Sequence, residues 1–169
     1  MWGLQSLKEL INVHPVFVHF PIALLLTSFA CYLLGSVTRN QNLLAAGKWT
    51  LYFGTLGAAL AVWTGWQAAR SVSHGGETHD LMILHQYFGF AVLGLGLLLS
   101  GWVFFSKALV PAKGRFLFLA GLAVLGLVLI QGADLGARMV FFHGIGLGRK
   151  RMMTETVELA GHDHGGHTH

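Results

Sequence analysis

Histidine is the residue type with the most chemistry to offer in this chain. There are ten in 169 residues, in a sequence that is 54% hydrophobic and only 11% charged. Neutral imidazole ligates iron, copper or zinc, and its proton exchanges near neutrality. His14, His19 and His85 fall at or inside long apolar stretches, and His143 falls at the end of another. Ionisable groups in such positions are costly and mark function. His74 and His79 lie in the sequence SHGGETH, and His162, His164, His167 and His169 lie in the ending GHDHGGHTH. The single cysteine, Cys31, excludes an internal disulfide or a cysteine-based zinc site. No nucleophile–base arrangement, phosphate loop or nucleic-acid motif is present. The basic balance reflects charges flanking apolar segments.

The apolar stretches that must position these histidines contain no Asp, Glu, Lys or Arg over residues 10–38, 49–69, 81–106 and 116–133. About 20 apolar residues cross a bilayer, and in lipid the backbone can satisfy itself only as helix or closed barrel. None of the four shows the polar face of a soluble bundle helix. The expectation is an all-α integral membrane four-helix bundle, up-down-up-down, with spans at about 15–37, 49–69, 81–106 and 115–141. Residues 1–147 form the membrane domain and residues 148–169 a flexible polar His-rich tail. Residues 1–12 read as a short interfacial helix, with Trp2, Leu4, Leu7 and Ile11 on one face. The first apolar stretch is too long, and too free of small-residue breaks, for a cleavable signal peptide. Trp49, Tyr52, Trp63, Trp66 and Trp102 fit interfacial aromatic belts. Cys31 reads as a small packing residue.

Four spans put both termini and the middle loop on one side, so all ten histidines share that side. The other side carries Arg39, Lys48, Lys107, Lys113 and Arg115 without an acid. Lysine and arginine are nearly balanced across the two sides, and Arg138 is one turn from Asp134 as an expected structural pair. The expected location is a bacterial inner membrane with the histidine side periplasmic.

Depth along ideal helices groups His19 with His85 as a deeper pair, and His14 with His143 nearer the headgroups. His14 and His19 are about 140° apart and cannot share a face. Pro15 suits a helix start and Pro21 a kink, which predicts that His19 is aimed inward. Gly89 stands one turn from His85, and Gly132 and Gly136 share a face with His143. Small residues beside histidines would admit a porphyrin, but the same spacings serve plain helix packing. The spacings at Gly54, Ala58, Ala61 and Gly65 read as packing alone. The tail offers imidazoles to Cu, Zn or Ni.

The segment HPVFVHFPIAL over residues 14–24 resembles the opening of a family of uncharacterised bacterial four-helix membrane proteins, domain of unknown function 2231. Thr64-Gly65 with Ala68-Ala69, His85 with Gly89, and Leu135-Gly136 leading to His143 and Gly146 fit the same pattern, over about residues 10–147. Members of that family look like b-type cytochrome relatives and sometimes occur joined to cytochrome c domains. The resemblance implies haem b or electron transfer involving His14, His19, His85 and His143. Gln86 departs from the acidic residue expected after the third-span histidine, and the His-rich tail lies outside the pattern.

Three functions compete. The first is a haem b protein passing electrons at one membrane face, between quinol and a periplasmic cytochrome c or other redox subunit. The cofactor would lie among His14, His19, His85, His143, Gly89 and Gly136. The second is a Cu- or Zn-binding membrane protein delivering through the tail. The third is a cofactor-free structural or assembly subunit. None involves nucleic acid, and all involve the lipid bilayer.

Overall fold

The structure is a computed structural model that describes residues 14–71, 77–111 and 114–142. The expected interfacial helix at 1–12, His74, His143 and the tail with His162, His164, His167 and His169 lie outside the described residues. Within them the chain is helix and short turns. The helices are α1 (His14–Phe17), α2 (His19–Thr38), α3 (Gln41–Ser71), α4 (Glu77–Ser106) and α5 (Arg115–Phe141).

The break between α1 and α2 has a local cause. Pro21 has no N–H to give to the Phe17 carbonyl, and its ring crowds that carbonyl. The turn continues through Val18 N–H to His14 O at 3.2 Å and Ile22 N–H to Val18 O at a long 3.4 Å. α2 ends on Arg39, which is left-handed (φ 56) and returns its N–H to the Gly35 carbonyl. Asn40 then caps α3, its Oδ1 accepting from Asn42 N–H at 2.9 Å and Leu43 N–H at 3.4 Å. Two residues thus reverse the chain. α4 ends at Lys107 (φ 52), and α5 is entered through Gly114 (φ 86), where a Cβ would stand 2.9 Å from the Trp102 ring.

The helices form a square, each touching its two sequence neighbours and α5 closing against α2. Gly35 faces Leu44, Gly47 faces Tyr32, Gly54 faces Leu25 and Gly65 faces His14. The numbers rise on one helix as they fall on the other, so α2 and α3 are antiparallel. The pairs Gly96–Thr55 and Gly89–Val62 give the same sense for α3 and α4. Gly121–Leu99, Gly132–Phe88 and Gly136–His85 give it for α4 and α5, and Gly126–Leu26 brings α5 back to α2. Small residues at these crossings let backbones approach where lipid supplies no hydrophobic drive between helices.

Helices His14–Thr38, His79–Ser106 and Arg115–Phe141 are long and apolar enough to cross a membrane. α3 falls short in hydropathy because Trp, Tyr, Thr and Gly dilute its apolar residues, although it carries no charge over 49–69. Its exposed tryptophans mark two levels: Trp49 at one end, and Trp63 and Trp66 at the other, with Arg70 lying over the Trp66 ring at 4.3 Å. From Trp49 to Trp66 is about 26 Å along a helix, close to the thickness of a bilayer's hydrocarbon core.

Packing is unequal along this length. The large side chains fully removed from the surface are Tyr32, Phe118, Leu25, Leu51, Leu122, Leu125 and Val103. All lie in the middle or toward the Trp49 end, where Tyr32 and Phe118 meet edge to face at 4.9 Å. None lies at the end that carries the histidines.

Candidate functional site

His14 and His85 meet across the diagonal of the square at its loosely packed end. Their ring centroids are 6.1 Å apart and their planes 82° from parallel. The α1 backbone lies against α2 and α3 and does not approach α4 or α5. The two rings therefore bridge a gap between one hairpin and the other.

Each ring is held from its own side. His14 Nδ1 is 3.3 Å from Thr64 Oγ1. That hydroxyl gives its only proton to the backbone, to the Leu60 carbonyl at 2.9 Å or the Ala61 carbonyl at 3.1 Å. Thr64 Oγ1 is thus an acceptor toward His14, and the proton is assigned to Nδ1. His85 Nδ1 stands 2.9 Å from the Gly132 carbonyl, which can only accept, so this ring also carries its proton on Nδ1. With Nδ1–H assigned in both rings, each Nε2 keeps its lone pair, and the Ala61 carbonyl is a further acceptor beside the His14 ring. Metal-ligating histidines are prepared in this way, with one nitrogen oriented by a backbone or side-chain acceptor and the other free. Two Nε2 atoms in line on one ion at about 2.0 Å each would put their ring centroids about 6.4 Å apart, and a tetrahedral angle would bring them to about 5.2 Å. The observed 6.1 Å lies nearer the in-line value.

Glycines set the rings in place. A Cβ on Gly65 would stand 2.9 Å from His14 Cε1, and one on Gly136 would stand 3.1 Å from His85 Cε1. Gly132 offers its carbonyl to His85 and would meet Phe88 at 3.1 Å if it had a side chain. These glycines accommodate the imidazoles and the α4–α5 contact.

Several expectations need correction. His85 pairs with His14, and His19 is exposed on the outside of α2. The break at Pro21 turns His14 inward, and a residue about 140° away must then face out. His14 consequently belongs at the depth of His85. A Cβ on Gly89 would meet Val62 at 3.6 Å and neither imidazole within 4 Å, whereas one on Gly136 would lie against His85. Gly65, expected to serve packing alone, seats His14. Thr64 was not among the expected site residues. Its place in the Thr64-Gly65 pair, one helix away from a histidine, was the available signal. Asp134 and Arg138 form the expected pair at 2.8 Å. Among the described residues no three His, Cys, Asp or Glu side chains converge as a metal cluster.

No curated protein and no solved structure matches this chain significantly. One family profile does, over residues 10–149, a stretch that includes every element just described. With His14, Thr64-Gly65, His85 and Gly136 all inside that match, the chain belongs to the family described as "Predicted membrane protein (DUF2231)".

Proposed function

We propose that the chain is a one-sided membrane haem protein in which His14 and His85 would hold a haem b. The observation that carries this reading is the diagonal pair itself: two neutral imidazoles, each with Nδ1–H committed and Nε2 free, at a spacing suited to one shared ion. Bound haem supplies a one-electron couple whose potential follows axial ligation and burial. Thr64 and the Gly132 carbonyl fix the tautomers and orient both Nε2 atoms. Gly65 and Gly136 let the rings sit close to the backbones of α3 and α5. α3, packed between α2 and α4, serves as the fourth span, and the histidine end faces the periplasm of a bacterial inner membrane.

The paired histidines stand level with Trp66, at the interface, so electrons enter and leave at one face. A membrane quinol and a periplasmic cytochrome c or similar subunit are the partners that suit such a carrier. A copper or zinc ion on the same two nitrogens is the second reading, favoured by the same spacing. The tail histidines His162, His164, His167 and His169 would then be its delivery arm.

The test is purification in mild detergent from haem-supplied cells, followed by oxidised and reduced spectra and elemental analysis. A low-spin Soret band that is lost in His14→Ala and His85→Ala and kept in His19→Ala is the expected result. The absence of a Soret band, before and after haem titration, overturns the haem reading. Stoichiometric Cu or Zn that survives deletion of 161–169 would then support the second reading. Neither cofactor would leave an assembly role.

A further inference from the structure

α5 turns its apolar and glycine residues inward. Leu125, Leu129, Gly132, Leu135 and Met139 are buried. Its opposite face carries three polar side chains in succession, Gln131, Asp134 and Arg138, all exposed. They follow at spacings of three and four, so they share one stripe. Leu127, Ile130 and Phe141 on the same side are exposed at 65%, 53% and 83%.

This stripe lies within a membrane-crossing helix. Gly132 packs on Phe88, and Gly89 on Val62, which sets Gln131 about 6 Å inward of the Trp66 level. An amide in hydrocarbon has two N–H donors and a carbonyl that lipid cannot satisfy. Gln131 makes no hydrogen bond among the described residues. Asp134 and Arg138 are paired at 2.8 Å within their own helix, yet remain 50% and 56% exposed. By the same pairing Asp134 lies close to the Trp66 level and Arg138 beyond it, so of the three Gln131 is the one set in hydrocarbon, and glutamine is a residue that hydrogen-bonds across helices in membranes.

We propose that this face of α5 docks a second copy of the same chain. The stripe is self-complementary. A two-fold axis along the membrane normal brings copies of one residue together at equal depth. Gln131 then meets Gln131 of the partner, and an amide both donates and accepts. Asp134 of each copy lies within a turn of the other's Arg138, so each carboxylate has a cation on both helices. Neither charge is left over, as a partner carrying one sign of charge would require. The stripe is on the far side of α5 from His85, so the interface leaves the histidine pair free and does not depend on a cofactor.

The test uses the full chain in mild detergent and in nanodiscs, in a Cys31→Ala background. Ile130→Cys, on the stripe, should cross-link to itself under mild oxidation, and Leu98→Cys, on the exposed face of α4, should not. Light scattering should report a dimer. A variant carrying Gln131→Leu, Asp134→Leu and Arg138→Leu should dissociate at a protein concentration at least tenfold higher while keeping its helical circular dichroism. A monomer at every concentration, equal cross-linking at both positions, or a different subunit co-purifying on this stripe with no self-cross-link would overturn the proposal. If the triple variant loses its helicity, the single Gln131→Leu change must show the weaker dimer. An unchanged dimer in that variant counts against the proposal.

Discussion

Three Gly→Ala substitutions probe how differently the same added methyl is received along the bundle. At Gly94 nothing stands within 4 Å of a Cβ. Alanine there gains helix propensity, so Gly94→Ala should be neutral or stabilising by up to about 1 kcal/mol. At Gly54 the Cβ would be 2.7 Å from Leu25 Cδ2, 2.8 Å from Leu25 Cγ and 3.2 Å from Leu24 Cβ. Leu25 is fully buried and cannot swing away. The helices must separate by most of an ångström to restore contact distance, so Gly54→Ala should cost about 2–3 kcal/mol as an overpacked core does. Gly65 is the instructive case. Its Cβ would meet His14 Cε1 at 2.9 Å, Nδ1 at 3.1 Å and Nε2 at 3.4 Å. These atoms end a side chain that can rotate, and among the described residues α1 rests on α2 and α3 alone. The ring therefore moves and the bundle does not. The 3.3 Å contact with Thr64 is already at the outer limit of a hydrogen bond and is lost. Gly65→Ala should cost about 1 kcal/mol, the net worth of that bond offset in part by helix propensity. Unfolding in mixed micelles followed by circular dichroism ranks the three stabilities. Nitrogen-15 NMR of labelled histidine reports whether His14 loses its Nδ1–H preference in Gly65→Ala alone. Equal stabilities for Gly54→Ala and Gly94→Ala would refute the packing argument. An unmoved His14 resonance in Gly65→Ala would refute the seating of the ring.

Other outcomes follow from single contacts. Tyr32 is fully buried, and its hydroxyl has no hydrogen-bond partner among the described residues. Tyr32→Phe should therefore leave stability unchanged or raise it by about 1 kcal/mol, while Tyr32→Ala should lower it by about 3–5 kcal/mol, both read in the same unfolding assay. Thr64→Val keeps shape and removes one of the two acceptors beside His14, the other being the Ala61 carbonyl, so NMR should show a shifted tautomer balance at His14 and an unchanged one at His85. Asn40→Ala removes the cap of α3 and should cost about 1 kcal/mol, with faster hydrogen exchange at the Asn42 and Leu43 amides.

Much of the architecture was legible because lipid simplifies the code. Charge-free stretches of sufficient length fold as helices whatever their detail, and the expected fourth span at 115–141 coincides with α5. α3 and α4 run beyond their expected starts, 49 and 81, to Gln41 and Glu77, because helix continues past the hydrocarbon into water, where composition no longer marks it. The site was less legible. Depth along the helix locates His85, but its partner is His14 and not the expected His19. That partner depends on how far α1 rotates at the Val18 break, and the rotation is set by Pro21 packing against Gly57 on another helix. Gly65 and Thr64 carried their role in a contact with a residue 50 positions away, and periodicity within one helix cannot express that. The expectation that His14 and His19 occupy different faces was sound. Which of the two faced inward was a question of tertiary packing.

The uneven packing along the bundle has a dynamic consequence. With Tyr32, Phe118, Leu25 and Leu122 interlocked toward one end, local opening there requires the whole core to part. At the other end α1, a single turn in the described residues, is joined to the rest through a break and rests there on α2 and α3. Opening free energy should therefore form a gradient, with amides of α1 and the last turns of α3 exchanging with solvent well before those around Leu51 and Leu122. The bundle then behaves as a clothes-peg, stiff at its spring and able to part its jaws where the two imidazoles meet.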